Sequence, residues 1–593
     1  MDPLKSRFEY LELLVATLSD NPLSLSQKDL QRDIKTIRSR VAQEGLSFLT
    51  KTLPKLGKAL DAVMAGDTFD LPRGFPRGKG KRPAFLQAYF KRVLGNDGEL
   101  LDDADVDAIK HIRQVCYMLY KLELPYSAKT EQAVLDGFVR TEQELEIPRN
   151  GDSDSIIAAA SYIVRDLLEG FNPKEIVCRH GPGAVATGER TNDKWTFKRL
   201  YSSIHQYYPY YEYFVAGWAA EVLDRVGWYK SLERLTSGQA KVILVPKDSR
   251  GPRLISCEPL EYQWIQQGLG RKLSDYAERR SKYRINFKDQ GRNRELALTS
   301  SLTREFATLD LKDASDRVSC ELVERVFAHT GLVPYLMACR TTSTLLPDGR
   351  SINLKKFAPM GSALCFPVEA IIFWAISVAA VNRLHGGATS KSATSVFVYG
   401  DDIIVPTDAA DAVVAALESC ALKVNRAKCC IRGPFRESCG MDAFKGESVT
   451  VTKVRTLWTG KRSDGSAFAS YIALRNQLKA GGYVQAAAYV ATHLGNTYGK
   501  IPYGTIFSGF PCFIVDDPVE ASIKNARNDL KVRYNENLQR LEWNIRALKS
   551  VKVDFTPDGW PRLLRDITMG AGDEPDQVVV PRSTILKRGW AAI

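Results

Sequence analysis

The sequence predicts an α+β fold, in which a core of strands and helices is flanked by mainly helical regions. Two patterns along the chain indicate this class. Apolar residues recur at helical spacing up to about Pro148, and short runs rich in Val and Ile, bounded by turn residues, begin at Lys241. With 593 residues, 44% hydrophobic and 25% charged, the chain is long enough for several joined subdomains, which excludes a small binding module.

The chain is basic, with 82 Lys and Arg against 69 Asp and Glu and a net charge of +13, which favours a polyanionic partner. A soluble cationic protein is the alternative on total charge alone. The excess is concentrated, however, because 13 basic and 6 acidic residues lie between Lys241 and Arg294. A charged stripe of this kind is typical of a surface that binds phosphates.

A second basic segment interrupts the N-terminal helical region. It sets five cations among glycines and prolines, which predicts a flexible loop able to lie along a phosphate backbone, although an ordinary solvated loop has a similar composition. The candidate contacts are Arg73, Arg77, Lys79, Lys81 and Arg82.

The eleven cysteines include no CxxC pair, which argues against secretion and against a zinc site and favours a reducing cytoplasm. The N-terminus lacks the pattern of a signal peptide. The apolar run from Ala363 to Val381 has membrane-spanning length, but Pro367 and Glu369 within it favour a buried core helix. We therefore predict no membrane segment.

The segment from Ser395 to Thr407 predicts a hairpin with Gly400, Asp401 and Asp402 at its tip, because two apolar strand-like runs flank these residues. Two adjacent carboxylates repel by about 4 kcal/mol at an effective dielectric near 20. A fold that holds them in a cleft therefore usually supplies a cation, and Mg²⁺ prefers such oxygen ligands. A solvated acidic turn is the alternative reading.

A second acidic element ends another predicted strand. Asp310 terminates an apolar run, and Asp313 is expected to be a helix cap or a surface acid. If this strand lies beside the Gly400 hairpin, Asp310, Asp401 and Asp402 form one oxygen cluster able to hold two metal ions. Such a pair of ions suits an in-line phosphoryl displacement.

The segment from Lys241 to Pro259 predicts a basic hairpin. Its Lys247, Arg250 and Arg253 could neutralise a triphosphate, whereas a solvated basic hairpin is the alternative. Further along the chain, the sequence predicts a hairpin around Asp348 and Gly349, a helix after Pro406, and a charged helical stretch from Val519 to Val551.

Taken in order, these segments resemble palm-type RNA-directed RNA polymerases, and among them the replicase catalytic beta subunits of small RNA bacteriophages of the Q-beta kind. Motif A resembles TLDLKDASDRVS, motif B PMGSALCFPVEA, motif C YGDD and motif D NRAKCC. The string GPFRESCG at 433–440 is the most family-specific. Each motif alone has a real false-positive rate, but their order and spacing make chance resemblance remote.

The resemblance implies roles for individual residues. Asp310, Asp401 and Asp402 are expected to bind two Mg²⁺ ions, with Mn²⁺ as a possible substitute, and Lys428 is expected to protonate the pyrophosphate leaving group. Asp316 is expected to contact the ribose hydroxyls. The remaining expected nucleotide contacts are Lys247, Arg250, Arg253, Gly361 and Ser362.

Two positions depart from the pattern of many viral polymerases, which carry Asn where this chain has Glu369 and Thr where it has Cys365. The glutamate is similar to the phage replicases. It puts in doubt a simple transfer of Asn-based sugar recognition, so Glu369 is a weak candidate, and a buried hydrogen-bonded acid is the alternative.

The resemblance further implies a right-hand architecture with fingers, palm and thumb. Residues 1–150 are expected to form an N-terminal helical region with the basic loop, 151–305 the fingers, 306–450 the palm with a hairpin at 341–357 on the fingers side, and 451–593 the thumb and C-terminal region. Implied partners are template and product RNA, ribonucleoside triphosphates, host elongation factors Tu and Ts and a small-ribosomal-subunit protein. The implied location is the cytoplasm of an infected bacterium.

Two other functions stay open from the sequence. A reverse transcriptase shares the palm and the metals, but Asp316 and Gly400 favour an RNA product. A non-catalytic RNA-binding protein with a decayed polymerase fold is the second alternative, and the presence of all three candidate metal acids weighs against it.

Overall fold

A computed structural model describes residues 3–190, 193–214, 226–387, 393–554 and 577–592. Helices and small mixed sheets make up the chain, so the predicted α+β class is confirmed. The helices are α1 Pro3–Ser19, α2 Gln27–Glu44, α3 Leu53–Ala65, α4 Gln87–Phe90, α5 Val106–Tyr117, α6 Ala128–Gln143, α7 Gly151–Leu167, α8 Ser202–His205, α9 Tyr210–Tyr213, α10 Val226–Ser231, α11 Leu260–Arg280, α12 Gly291–Thr303, α13 Ala314–Arg317, α14 Cys320–Val326, α15 Val333–Ala338, α16 Cys365–Leu384, α17 Ala410–Ser419, α18 Gly465–Ala480, α19 Val484–Tyr498 and α20 Pro518–Arg527.

The strands form short sheets rather than one continuous sheet. They are β1 Arg199–Tyr201, β2 Glu233–Leu235, β3 Gln239–Asp248, β4 Gly251–Cys257, β5 Phe306–Leu309, β6 Ser343–Leu345, β7 Ser351–Asn353, β8 Phe397–Tyr399, β9 Asp402–Pro406, β10 Phe435–Ser438, β11 Met441–Phe444, β12 Glu447–Ser448, β13 Tyr503–Gly504, β14 Phe513–Ile514, β15 Val532–Asn535, β16 Arg540–Asp554 and β17 Gln577–Ala591.

The N-terminal region is helical, as predicted, and its helices begin at side-chain caps. The side chains of Ser26, Asp105, Ser127 and Asn150 each accept a hydrogen bond from a backbone N–H of the first turn. The apolar faces of α1 to α5 share one core with apolar residues of α18 and α19, far along the chain. The N-terminal helices therefore fold against helices that lie more than 340 residues later in the sequence.

Two sheets in the middle of the chain bear on the site. The first has the order β4-β3-β6-β7, in which β3 and β4 form the basic hairpin and β6 and β7 the hairpin predicted around Gly349. The second is antiparallel with the order β5-β9-β8. A second hydrophobic core, distinct from that of the N-terminal helices, surrounds this antiparallel sheet. It includes apolar residues of α7, α16 and α17.

The long apolar segment forms α16, and residues from Cys365 to Val381 are almost all buried inside the protein. Among the described residues α16 is the one helix long and apolar enough to cross a membrane, and 89% of that stretch is buried. The predicted core helix is thus observed.

The helix predicted from Val519 to Val551 is wrong beyond Arg527. Asp517 caps α20 and Pro518 begins it, but Asp529 has a left-handed backbone (φ 51°), and three antiparallel strands, β15 to β17, follow. Trp543 and Ile545 are buried two residues apart, so the apolar pattern has the period of a strand. The many charges of this segment obscured that alternation.

Candidate active site

The acidic hairpin is tight, and its geometry requires glycine. Tyr399 pairs with Asp402, which leaves Gly400 and Asp401 as a two-residue turn. Gly400 has a left-handed backbone (φ 61°), as the first position of a type II′ turn demands. A Cβ atom at Gly400 would also lie 2.2 Å from the Phe366 ring. Backbone conformation and packing both select glycine here.

Strand pairing brings Asp310 to this turn. Leu309, the last residue of β5, pairs with Ile403 on β9, so Asp310, which follows β5, lies beside Asp402 at the same end of the sheet. Asn425 Nδ2 donates to Asp310 Oδ2 at 2.7 Å, and Lys428 Nζ lies 3.1 Å from Asp310 Oδ1. Asp310 and the adjacent pair Asp401 and Asp402 are far apart along the sequence and are therefore brought together by the fold.

The electrostatics of the cluster show repulsion between its carboxylates. Burial and the neighbouring charges of Asp401 and Asp310 raise the pKa of Asp402 to about 6, although Cys439 N donates to Asp402 Oδ2 at 3.2 Å. Burial, followed by the charge of Asp310, also raises the pKa of Asp401. A cation bound between these carboxylates would remove the repulsion.

The donor set fits Mg²⁺, which prefers carboxylate oxygens. Across the part of the chain that the structure describes, no group of three or more His, Cys, Asp or Glu side chains is already arranged as a metal site. Asp310 instead contacts Asn425 and Lys428. Both contacts would have to share the Asp310 carboxylate with a metal ion.

A cavity of about 800 Å³ opens over the acids. Its lining combines negative charge at one side with cations from β3, β4 and the segment after α17. The sequence-predicted residues that line it are Lys247, Arg250, Arg253, Asp310, Asp316, Asp401 and Lys428.

The basic hairpin presents its cations to this cavity. Arg250 forms a forked ion pair with the buried Asp248, with Nη2 2.6 Å from Oδ2 and Nε 3.0 Å from Oδ1, and its guanidinium lies 4.6 Å from the centre of the Tyr120 ring. Burial and the charge of Arg253 lower the pKa of Lys247. An anion in the cavity would relieve this repulsion between cations.

Five further cations in the lining have no counterpart among the residues that the sequence singled out, namely Lys58, Arg113, Lys121, Lys312 and Lys453. Lys121 Nζ lies 3.8 Å from Asp248 Oδ2, yet burial, with the charges of Arg250 and Lys247, lowers the pKa of Lys121 to about 8. Lys58 and Lys121 belong to the N-terminal helical region, which no local pattern connects with the hairpin. No signal in the sequence places them here.

Asp316 and Glu369 both lie close to the acids. Asp316 is on α13 and pairs with the fully buried Lys356. Burial raises the pKa of Glu369 to about 8, and Cys365 Sγ lies 3.8 Å from Glu369 Oε2. Glu369 is thus a buried, hydrogen-bonded acid that is largely neutral at pH 7. Asp313 is an exposed acid, as expected, and its side chain does not cap α13.

The two motif B residues have different surroundings. Gly361 has φ 123°, and a Cβ atom there would lie 2.2 Å from the Ser256 carbonyl oxygen, so the close approach to β4 selects glycine. Ser362 is 7% exposed, and its Oγ accepts from Leu364 N at 3.3 Å. Its hydroxyl accepts this bond in the turn before α16, and neither Gly361 nor Ser362 belongs to the cavity lining, so the nucleotide contacts of both stay predictions.

The two sides of the basic loop are joined by an antiparallel β-bridge between the backbones of Arg77 and Pro83. Arg73, Arg77, Lys79 and Lys81 are exposed. Arg82 corrects the prediction, because it is 7% exposed and its guanidinium donates to the Leu94 carbonyl oxygen and to Asn96. Arg82 closes the loop and is not available to RNA.

The segment 433–440 includes β10 and packs beside the acidic cluster, where Cys439 N donates to Asp402 Oδ2. Arg436 is fully buried, and its guanidinium donates to the carbonyl oxygens of Phe306 at 2.5 Å, Gly433 at 2.6 Å and Ile431 at 3.1 Å. A Cβ atom at Gly433 would meet the Met64 carbonyl oxygen at 2.1 Å. This segment therefore contacts both β5 and α3, and its role is structural.

Comparisons with known proteins identify relatives of this chain. The RNA-directed RNA polymerase subunit beta of Enterobacteria phage SP is 37% identical over 215 residues, which cover 36% of each chain. The RNA-directed RNA polymerase beta chain of Enterobacteria phage GA is 31% identical over 306 residues, 50% of this chain and 54% of that one. These matches span between about a third and a half of the relatives' lengths.

Among solved structures, the BmCPV RNA-dependent RNA polymerase at elongation state is similar with a TM-score of 0.44 and 11% identity, over 86% of this chain and 49% of that one. A family model described as RNA replicase, beta-chain, matches residues 130–461, which is more than half of the chain and includes Asp310, Asp401 and Asp402. On that match, this protein belongs to the RNA replicase beta-chain family.

Proposed function

We propose that the protein copies an RNA template into complementary RNA from ribonucleoside triphosphates and releases pyrophosphate. The observation that carries this proposal is the meeting of Asp310, Asp401 and Asp402 at one end of the β5-β9-β8 sheet, beside a cavity lined with cations. The relatives named as RNA-directed RNA polymerases support the same activity.

Asp310, Asp401 and Asp402 are the residues that would hold two Mg²⁺ ions, with Mn²⁺ as a substitute. When bound, such ions stabilise the attacking and leaving oxygens of an in-line displacement at phosphorus. The chain itself contributes an oxygen donor set whose mutual repulsion favours the bound cations.

The cations of the cavity would orient the triphosphate. Arg250 is held by Asp248, which leaves its position defined before substrate arrives. Lys247 and Arg253 lie in the same lining and repel each other until an anion neutralises them. Lys58 and Lys121 extend this basic surface from the N-terminal helices. A triphosphate carries enough charge to engage several of these groups at once.

Lys428 is proposed as the general acid for the leaving pyrophosphate. Burial lowers its pKa, but the charges of Asp310, Glu437 and Asp401 outweigh this effect and raise the pKa above the ordinary lysine value. The ammonium group therefore keeps its proton at Nζ, 3.1 Å from Asp310 Oδ1, in the lining of the cavity. Transfer of that proton would neutralise the leaving oxygen.

Asp316 is proposed as the contact to the ribose of the incoming nucleotide. A carboxylate that accepts from a 2′-hydroxyl prefers ribonucleotides, because a deoxynucleotide would leave that acceptor unpaired. Asp316 lines the same cavity as Asp401, which supports this assignment. The same contact separates the proposed polymerase from a reverse transcriptase.

The proposed partners are template and product RNA, host elongation factors Tu and Ts and a small-ribosomal-subunit protein, in the cytoplasm of an infected bacterium. Membership of a family described as an RNA replicase beta-chain supports RNA as the partner and a role for this protein as one subunit among others. Co-purification of tagged protein from a bacterial host tests it, and recovery of active protein with neither elongation factor would count against it.

The direct test is incorporation of labelled ribonucleotides by purified protein on an RNA template with Mg²⁺, with and without host extract. We expect template-dependent incorporation that requires Mg²⁺ and is much weaker with deoxynucleotides. Asp401→Asn should abolish incorporation and preserve RNA binding. RNA binding by the wild type without incorporation in any condition would instead support a non-catalytic RNA-binding protein.

A further inference from the structure

Lys356 is a fully buried lysine behind the candidate sugar-binding acid. Its Nζ lies 3.3 Å from Asp316 Oδ1 and 3.4 Å from Glu142 Oε1. It also donates to the Phe138 carbonyl oxygen at 3.5 Å and sits 3.4 Å from the centre of the Phe138 ring. A buried ammonium is costly unless it is paired, so these contacts make a specific site for the lysine.

Backbone hydrogen bonds hold Lys356 in place relative to Asp316. Phe357 N donates to the Val318 carbonyl oxygen at 2.8 Å, and Cys320 N donates to the Lys355 carbonyl oxygen at 2.8 Å. The segment that carries Lys356 is therefore paired with the residues that directly follow α13 and Asp316. The backbone pairing fixes the two segments relative to each other, and burial of the lysine side chain holds its ammonium against the carboxylate.

Asp316 itself faces two ways. Its side chain is 26% exposed and lines the cavity above Asp401, while Lys356 holds one of its oxygens from the protein interior. Burial raises the pKa of Asp316, and the charge of Lys356 opposes that effect. The lysine thus supplies the main cationic partner of an acid that must accept a hydrogen bond from the cavity side.

We propose that Lys356 is a positioning residue that holds Asp316 as a fixed, ionised acceptor for the ribose 2′-hydroxyl, and that it thereby sets the preference for ribonucleotides over deoxynucleotides. This inference rests on the proposed polymerase function and deepens it. Lys356 lies outside the cavity lining, and the ion pair with Asp316 is its charged contact to that lining.

Glu142 offers a way to test the lysine without leaving Glu142 itself as a buried, unpaired charge. It is the second acid on Lys356, and its other oxygen accepts from Lys355 N at 2.7 Å. Lys356→Met alone would leave Glu142 buried without its cation, which threatens the fold. The double variant Lys356→Met/Glu142→Gln removes the ammonium and one acid together. Glu142→Gln alone keeps the pair of Lys356 and Asp316.

The measurement is the ratio of kcat/KM for a ribonucleotide to that for the matching deoxynucleotide, on one RNA template with Mg²⁺. We expect this ratio to fall roughly tenfold or more in the double variant, because the Asp316 carboxylate is no longer held in position. Glu142→Gln alone should keep the ratio. Lys355→Met, which removes an adjacent lysine whose side chain is 57% exposed, is the matched control and should also keep it.

Asp316→Asn decides whether Lys356 acts through Asp316. We expect Asp316→Asn to lower the ratio and the Lys356 and Glu142 changes to lower it no further in that background. A double variant that is folded, slower with both nucleotides and unchanged in the ratio would overturn the inference and leave the polymerase function intact. Normal discrimination by Asp316→Asn would overturn it as well. A wild type that incorporates no nucleotide would refute the proposed function, and the inference with it.

Discussion

Asp310 and Asp402 are the residues whose replacement tests the acidic cluster most directly, because each sits at a strand end that the sheet holds in place. We expect Asp310→Asn and Asp402→Asn to lower nucleotide incorporation by at least about a hundredfold, since the amide keeps the volume but removes a metal-binding charge. The melting temperature should change little. Glu305→Gln, at an exposed acid that precedes β5 and lies outside the cavity lining, is the control and should keep its activity.

Near-normal turnover by either Asp310→Asn or Asp402→Asn would remove that residue from the site. The comparison is made with purified variants on one template, and circular dichroism establishes that each variant is folded. The two acids need not contribute equally, because Lys428 and Asn425 already contact Asp310, whereas a backbone N–H contacts Asp402.

Glu369 provides a prediction on pH and stability. Its folded pKa of about 8 lies above its ordinary value of 4.5, so the neutral carboxyl is favoured in the folded state. Its contribution to stability is therefore fully present below about pH 4.5 and is lost as the pH rises to 8 and beyond. Glu369→Gln keeps a neutral group at every pH. We expect it to raise the free energy of unfolding at pH 9 by roughly 1 to 3 kcal/mol relative to wild type, with little gain at pH 5.

Chemical denaturation at pH 5, 7 and 9 checks this expectation. The control is Glu321→Gln, at an acid whose side chain is 40% exposed. Parallel pH profiles for wild type and Glu369→Gln would show that Glu369 ionises in the folded protein as it does in the unfolded chain.

At the scale of the element, the β8–β9 hairpin depends on Gly400. An alanine there meets two obstacles, the left-handed backbone and the Phe366 ring. We expect Gly400→Ala to destabilise the protein by about 2 to 4 kcal/mol and to reduce activity strongly, because the turn carries Asp401 and Asp402.

The matched control for Gly400→Ala is Gly349→Ala. Gly349 has φ 87° in the turn between β6 and β7, and a Cβ atom there meets nothing within 4 Å, so only the backbone cost of about 1 to 2 kcal/mol applies. Adding Phe366→Leu to Gly400→Ala should restore part of the lost stability. Equal losses for the two alanine variants in thermal denaturation would show that the ring contact costs nothing.

At the scale of the whole molecule, the net positive charge and the exposed basic loop point to RNA. Replacing Arg73, Arg77, Lys79 and Lys81 with Gln should weaken RNA binding and flatten its dependence on salt. Each lost phosphate contact on a single strand should reduce the slope of log K against log salt by roughly 0.7. Binding titrations between low and moderate salt measure this slope.

Arg82→Met separates charge from structure in the same loop. Because the Arg82 guanidinium is buried against Leu94 and Asn96, its loss should lower the melting temperature and leave the salt slope unchanged. An unchanged slope in the fourfold variant would deny the loop any contact with the RNA backbone.

Much of the candidate active site could be predicted from the sequence, because its acidic residues lie in segments with a clear local pattern. Apolar alternation around Gly400 predicts the hairpin, and the end of an apolar run places Asp310 at a strand terminus. Such patterns fail in the charged C-terminal segment. There the frequent Lys, Arg and Glu residues mask the alternation of buried and exposed side chains along β16. Local sequence also does not predict whether a single arginine is exposed, since Arg82 is buried within an otherwise exposed basic loop.

By itself, the sequence determined the α+β class, the acidic turn and the basic hairpin, because each depends on residues within about twenty positions of one another. Tertiary structure alone decided that Lys58 and Lys121 line the cavity, that Lys356 pairs with Asp316, and that α1 to α5 share a core with α18 and α19. These contacts join segments that are far apart in the chain. Their formation depends on how whole elements bury their apolar faces, and that is a property of the packed molecule rather than of any short segment.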